Sequence, residues 1–152
     1  MEDSKTSKAQ PVVVDAQGHI AGRLSSHIAK LLLNGNRVFV VNAEKALVSG
    51  HRKSVVNNWL KKLEISSVVN PKYGPFHPRR PERILKRMVR GMIPRRKPKG
   101  LEAIRRLRVY TGLPEEFEAT SKITFQDSLA RKPLPYYITV GEIASVQGWK
   151  GK

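Results

Sequence analysis

Apolar residues recur along this chain in two rhythms, short unbroken runs and helical stripes, and their order predicts the elements. Pro11-Val-Val-Val-Asp15 is a β-branched run with Gly18 close behind, which reads as a buried strand followed by a turn. Leu24, Ile28, Leu31 and Leu32 then follow at helical spacing. Residues 21–33 are therefore expected to form an amphipathic helix, stopped by Asn34-Gly35. Arg37-Val-Phe-Val-Val-Asn42 is a second buried run. Strand, helix and strand in this order make a βαβ unit, which implies parallel pairing through a right-handed crossover. A short third strand is expected at residues 46–48, ended by Ser49-Gly50.

Further along, residues 52–66 read as a helix with Val55, Val56, Trp59, Leu60 and Leu63 on one side and Lys53, Lys61 and Lys62 on the other. Asn70-Pro-Lys-Tyr-Gly-Pro-Phe-His-Pro holds three prolines and a glycine, which excludes regular structure. Pro81 can open a helix as its first residue. That helix presents Ile84, Leu85, Met88, Val89 and Met92 on one side and Arg83, Lys86, Arg87 and Arg90 on the other. Residues 94–100 form a basic loop, 101–107 a short helix, and 108–112 a last strand or extended segment. Residues 114–135 carry no readable pattern. Thr139-Val-Gly-Glu142 is a capping-box sequence for a final short helix. The fold class is α/β: a small parallel sheet flanked by helices, with a basic loop-helix extension and a short C-terminal helix.

Charge changes the picture more than composition does. The chain has 152 residues, the size of one domain, and a net charge of +17. Fourteen basic residues lie between Asn70 and Tyr110, opposed only by Glu82 and Glu102, so this stretch alone carries +12. Solvated basic faces normally intersperse acids. A charge this concentrated calls for a polyanion, and binding nucleic-acid phosphate releases condensed counterions. Arginine outnumbers lysine there by ten to four, which favours bidentate contacts and stacking. The prolines fix an extended path and reduce the entropy lost on binding. The candidate RNA-binding residues are Lys72, Tyr73, His77, Arg79, Arg80, Arg83, Lys86, Arg87, Arg90, Arg95, Arg96, Lys97 and Lys99, with Arg23 at the start of the first helix. Tyr73, Phe76 and His77 are interleaved with the charges and could stack on unpaired bases. Phe76 is nevertheless expected in the core, and Tyr73 is open between the two roles. No zinc finger, basic zipper or aromatic sheet motif is visible, so folded RNA is preferred to duplex DNA.

Other chemistries find little support. Without cysteine there is no disulfide, Cys-ligated zinc or thiol nucleophile. His19, His27, His51 and His77 lack ligand spacing, and no acid–base or nucleophile constellation assembles. No catalytic residue, metal, cofactor or small-molecule substrate is expected. Gly18-His-Ile-Ala-Gly22 joins a strand to a helix, where phosphate cradles occur. It lacks both the Gly-Lys-Ser/Thr of the Walker pattern and the third glycine of the dinucleotide pattern. The simpler reading gives Gly18 a tight turn and Gly22 a close approach of helix to sheet, with Arg23 and the helix N-terminus free to touch an RNA phosphate. The polar start, MEDSKTSKAQ, is no signal peptide, and the longest apolar runs are too short to span a bilayer. A soluble cytoplasmic protein without a membrane partner is expected.

Several ordered motifs also carry a resemblance. Val13-Val-Asp-Ala-Gln-Gly-His-Ile-Ala-Gly-Arg-Leu24, Ala-Lys-Leu-Leu-Leu-Asn-Gly at 29–35 and Val-Val-Asn-Ala-Glu at 40–44 resemble the opening of the large-subunit ribosomal protein L-thirteen family. Asn70-Pro, Gly74-Pro-Phe-His77, Arg79 with Pro81, and Val89-Arg-Gly-Met-Ile-Pro94 resemble its central signature, completed by Gly100 and Leu107-Arg-Val-Tyr110. The ending, Tyr137-Ile-Thr-Val-Gly-Glu-Ile-Ala with Gly148-Trp149, resembles the archaeal branch. The resemblance covers roughly residues 12–113. It implies an α/β domain with a small parallel sheet between helices. It further implies a structural component of the large subunit that binds the large rRNA beside neighbouring ribosomal proteins and joins early in assembly, without catalysis or cofactor. His77, Arg79, Arg90, Gly91 and Met92 fall in the family's signature region. The chain then divides into a disordered polar tail at 1–10, an α/β rRNA-binding domain at 11–113 with its basic segment at 70–110, and a C-terminal extension at 114–152 packed on the domain or on neighbours. Two other classes stay open: an RNA-modifying or nucleotide-dependent enzyme, and a messenger-RNA-binding regulator outside the ribosome.

Overall fold

In the computed structural model, which describes residues 11–151, the βαβ unit forms as expected. Strands β1 (Val12–Asp15) and β2 (Val38–Val41) pair in parallel across helix α1 (Ala21–Leu33). The polar tail expected at 1–10 lies outside the described residues. Gly35, with φ of +96°, supplies the left-handed turn after α1 that a β-carbon would strain. Val12 lies beside Val38, Val13 beside Phe39, Val14 beside Val40 and Asp15 beside Val41. Two more strands extend the sheet, both parallel: β4 (Leu107–Val109) beside β2, and β5 (Lys122–Ile123) beside β1. The strand order is β4-β2-β1-β5.

Paired residues in a parallel sheet share a face, so the register sorts the core. Val14, Val38, Val40 and Leu107 join the buried cluster with α1, α3 (Pro81–Gly91) and α4 (Pro98–Arg105). Leu24, Ile28 and Leu32 of α1 and Leu85 of α3 are wholly buried there. Each such side chain contributes about 1.5–3 kcal/mol relative to exposure. Val13, Phe39 and Arg108 lie on the opposite face. There Phe117 covers Phe39 with ring centroids 5.0 Å apart.

The expected third strand forms one residue later, as β3 (Leu47–Ser49), and stays out of the parallel sheet. It pairs antiparallel with β6 (Tyr137–Thr139), which runs directly into α5 (Val140–Val146). Half of the capping box is present: Thr139 Oγ1 accepts the Glu142 N–H at 3.1 Å. The Glu142 carboxylate turns instead to Arg52, 3.2 Å away. Helix α2 (Arg52–Glu64) ends two residues before the expected 66, and none of its residues is buried. Val55, Trp59 and Leu63 are only half-covered, where α2 lies on α5 and β6. Helix α4 starts three residues before the expected 101, because Pro98 takes its first position. It stops at Arg105, because Leu107 is drawn into the sheet beside Val38. The chain beyond residue 113, which showed no pattern before 136, thus supplies a sheet edge, a strand of the second sheet and the last helix.

Glycines separate two kinds of turn. Gly18 has φ of +72°, as a tight turn requires. Gly22 does not pack helix against sheet: it is exposed, and a β-carbon there would meet nothing within 4 Å. The expectation of close approach at Gly22 is corrected, since the helix turns that edge to solvent. The close approach occurs at Gly100, where a β-carbon would lie 2.2 Å from the Pro94 carbonyl oxygen. Gly100→Ala should accordingly destabilise the fold by about 1–3 kcal/mol, the usual overpacking range. Gly22→Ala should be neutral or stabilising by up to about 1 kcal/mol. Urea denaturation of both variants checks this, and a loss at Gly22 matching that at Gly100 would restore a packing role there.

Candidate nucleic-acid interface

Helix α3 builds the centre of the basic surface. Pro81 starts it, and Ile84, Leu85 and Val89 are buried on one side. Arg83, Lys86, Arg87 and Arg90 recur at helical spacing along another side, spanning about 10 Å. The proline-rich segment 71–78 lies along this stripe and is fastened at two points. The Arg87 guanidinium donates to the Phe76 carbonyl. His77 Nε2 donates to the Ile65 carbonyl at 2.8 Å, which assigns the proton to that nitrogen. Between segment and helix runs a cleft of about 600 Å³. Tyr73, Phe76 and His77 line one wall and the four α3 cations line the other, with Ile104 of α4 at the margin.

Phe76 is not in the core. It is 75% exposed and Tyr73 is 80% exposed. Pro75 and Pro78 keep the backbone extended outside α3, and tying down the Phe76 carbonyl leaves the ring in solvent. Phe76 therefore joins the candidate site from which the core reading had excluded it. The prolines on both sides of it, which prevent folding back into a helix or strand, were the available signal.

Six of the fourteen predicted site residues thus come together in one cleft: Tyr73, His77, Arg83, Lys86, Arg87 and Arg90. Lys72, Arg79 and Arg80 are exposed on the chain leading into α3. Arg95, Arg96, Lys97 and Lys99 are exposed where α3 passes into α4. Their turn is held by the Arg95 N–H on the Ile93 carbonyl at 2.7 Å and the Lys97 N–H on the Pro94 carbonyl at 3.0 Å. Arg23 stands outside the cleft, exposed, and donates to the Asp127 carbonyl at 3.3 Å. Among the described residues, a carboxylate within 4.0 Å reaches only one cation of segment 70–110, Arg80, from Glu82 at 3.7 Å. The protein leaves almost all of this charge unneutralised.

Besides Arg87, a second cation of the segment is engaged within the protein. Arg106 Nη2 donates to the Leu32 carbonyl at 3.0 Å, joining the Gly35 N–H that the same carbonyl accepts at 3.1 Å in the last turn of α1. A second groove of about 460 Å³, mostly apolar, opens between α2 and α3 and shares His77 and Arg87 with the first.

The turn at Gly18–Gly22 is occupied by the chain itself. His19 is 1% exposed, and both ring nitrogens are engaged. Nδ1 donates to the Gln17 carbonyl at 2.8 Å, and Nε2 accepts the Phe125 N–H at 3.1 Å. The Ile20 N–H donates to the Ser128 carbonyl at 2.7 Å, and the Gly18 carbonyl accepts the Ala130 N–H at 3.0 Å. Segment 125–130 therefore lies over the turn where a nucleotide phosphate would have to sit. His27 stacks on Phe125 at 4.6 Å, and His51 precedes α2 in an exposed position. Among the described residues no group of three or more His, Asp or Glu is placed to hold a metal ion. No helix among them is long and apolar enough to cross a membrane.

Known proteins are similar to this chain over most of its length. The profile of the family described as Ribosomal protein L13 matches residues 9–116. A protein of Archaeoglobus fulgidus named large ribosomal subunit protein uL13 is 45% identical, covering 91% of this chain and 88% of its own length. Proteins of the same name from Aeropyrum pernix and Sulfolobus acidocaldarius are 43% and 42% identical, covering 95% and 94% of this chain and 94% and 97% of their own lengths.

The distinction between structural and free cations is measurable. Arg106→Ala should destabilise the fold by about 1.5–3 kcal/mol, the range for a hydrogen bond to a charged group. Arg105→Ala, at an exposed position, should stay within about 0.5 kcal/mol. Urea midpoints of the two variants decide it, and equal losses would show that Arg106 does not hold α1.

Proposed function

The chain belongs to the ribosomal protein L13 family, and from that premise we propose that it binds large-subunit rRNA through segment 70–110 as a structural constituent of the large ribosomal subunit. The observation that carries this reading is charge held in place. Fourteen cations face two acids in that segment, and α3, the pinned 71–78 segment and the 94–97 turn fix most of them outward. Fixed cations bind phosphate with less conformational entropy to lose than cations on a mobile tail. The mechanism is electrostatic clamping. Phosphate contacts neutralise closely packed RNA strands, while the α/β body sets where those strands lie relative to each other. A clamp of this kind acts before its strands can pack, which fits a role early in subunit assembly. Neighbouring large-subunit proteins are the expected partners for the remaining surface, and the cytoplasmic ribosome is its place. The activity is scaffolding and no cofactor takes part. The rival enzyme reading loses its nucleotide turn to segment 125–130.

Two measurements test this. In a sucrose gradient at low salt the native protein should travel with the large subunit, and recovery at the top of the gradient would overturn the reading. In rRNA-fragment binding, replacing Arg95, Arg96 and Lys97 together by alanine should weaken affinity. It should also flatten the dependence of log K on log salt by about 2–3, at roughly 0.7–0.9 per lost phosphate contact. Lys150→Ala should change the slope by less than one contact. Equal effects would show that the charge acts diffusely.

A further inference from the structure

Phosphate binding explains the cations of the α3 cleft but not its aromatics. Tyr73 and Phe76 are 80% and 75% exposed, and the chain at Phe76 and His77 is fastened by the Arg87 guanidinium and the His77 ring. Two large aromatic side chains left in water contribute nothing to the core of the free fold, and a partner that covers them buries their area. The lining opposite is Arg83, Lys86, Arg87 and Arg90, and among the described residues no carboxylate lies within 4.0 Å of these four. Aromatic side chains and cations lining the same cleft match the two halves of a nucleotide, a flat base and its phosphate. The cleft volume of about 600 Å³ falls within the roughly 300–1,000 Å³ of clefts that enclose small ligands. A cleft of that size can take a base only after the base has left its helix, because paired bases already stack on their neighbours.

We propose that the cleft between segment 71–78 and α3 is a site for an unpaired RNA base, stacked on Tyr73 and Phe76 while Arg83, Lys86 and Arg90 hold the flanking phosphates. The inference rests on the rRNA-binding reading and adds to it a preference for bulged or looped strands over continuous duplex. Arg87 is a positioning residue here, since its guanidinium fixes the Phe76 backbone. Stacking tolerates any base, so shape and strand state select the ligand more than sequence does.

The test uses the full-length chain and two hairpin RNAs that differ only by one bulged adenosine, followed by fluorescence anisotropy. The native protein should bind the bulged hairpin about tenfold or more tightly than the paired one. The double variant Tyr73→Leu, Phe76→Leu keeps apolar bulk at exposed positions and should fold, which circular dichroism checks. It should lose the preference for the bulge while retaining its affinity and salt slope on the paired hairpin. Arg83→Gln with Arg90→Gln should weaken both complexes and flatten both slopes. A 2-aminopurine in place of the bulged adenosine should change its emission on binding to native protein but not to the double leucine variant. Equal affinity of native protein for the two hairpins, with the leucine variant unchanged on both, would overturn the stacking site and leave phosphate binding intact. Failure to bind either hairpin at low salt would instead overturn the RNA reading itself.

Discussion

Like charges on one helix repel one another, and α3 carries Arg83, Lys86, Arg87 and Arg90 with Glu82 as its only acid. An isolated peptide of this sequence would gain nothing from such neighbours at helical spacing. The helix exists because Ile84, Leu85 and Val89 are buried against the body, where α3 packs on α1. Burial at about 1.5–3 kcal/mol per side chain outweighs repulsions of a few tenths of a kcal/mol per exposed pair. Every other feature of the basic surface depends on that contact. The 71–78 segment is tied to α3 through Arg87, and the 94–97 turn is closed on Gly100 at the start of α4.

The family signature divides by physical role. Its opening half builds the body. Asp15 Oδ1 accepts the Asn42 side-chain N–H at 3.0 Å, joining the ends of β1 and β2, and Asn42 adopts a left-handed φ of 55° to do so. Glu44 accepts the Gly112 N–H at 2.9 Å, and the Asn42 N–H donates to the Gly112 carbonyl at 2.8 Å, which ties the β2 end to the chain after β4. His19 links β1 to β3 through its backbone and to the distant Phe125 through its ring. The central half instead spends its unusual residues outward. Gly74-Pro-Phe-His77 and Arg90, with the neighbouring Tyr73 and the other α3 cations, line a surface where, among the described residues, most charged side chains have no carboxylate partner.

What was legible in the sequence follows from this division. Strands β1 and β2 and helices α1 and α3 carry unbroken apolar runs or strong stripes, so their positions could be read within a residue or two. The third strand was legible, but its partner was not, because β6 lies about ninety residues away and pairing at that distance leaves no local mark. β5 is two residues long and holds only Lys122 and Ile123, too little for any periodicity. Gly22 and Gly100 show the limit in miniature. Both are single glycines at helix starts, and only the approach of the Pro94 carbonyl distinguishes the one that is needed. For the interface, charge density located the segment, while the grouping of Tyr73, His77 and four cations in one cleft depended on hydrogen bonds to backbone carbonyls. Phe76 was misplaced because an aromatic in a basic stretch suits a core as well as a surface, and the flanking Pro75 and Pro78 were given too little weight against folding back. The fastened backbone decides between them.

A surface organised this way links folding to binding. The free chain holds much of the +12 of segment 70–110 close together on α3 and the segments beside it, so its compact state bears a repulsion that the expanded chain relaxes. A bound polyanion removes more of that repulsion from the folded form, where the cations are close together. A ligand that favours the native state stabilises it by RT ln(1 + [L]/Kd), about 4 kcal/mol at a thousandfold excess over the dissociation constant. Stabilities of small domains are of the order of 5–15 kcal/mol, so the RNA would become a large share of what keeps the basic elements in place. The apolar contacts of α1 with α3 decide which conformation is available, and neutralisation decides how firmly it is held. In such an arrangement the exposed rings of Tyr73 and Phe76 are not defects of the free fold. On the proposed reading they are the part of a shared core that the partner would complete.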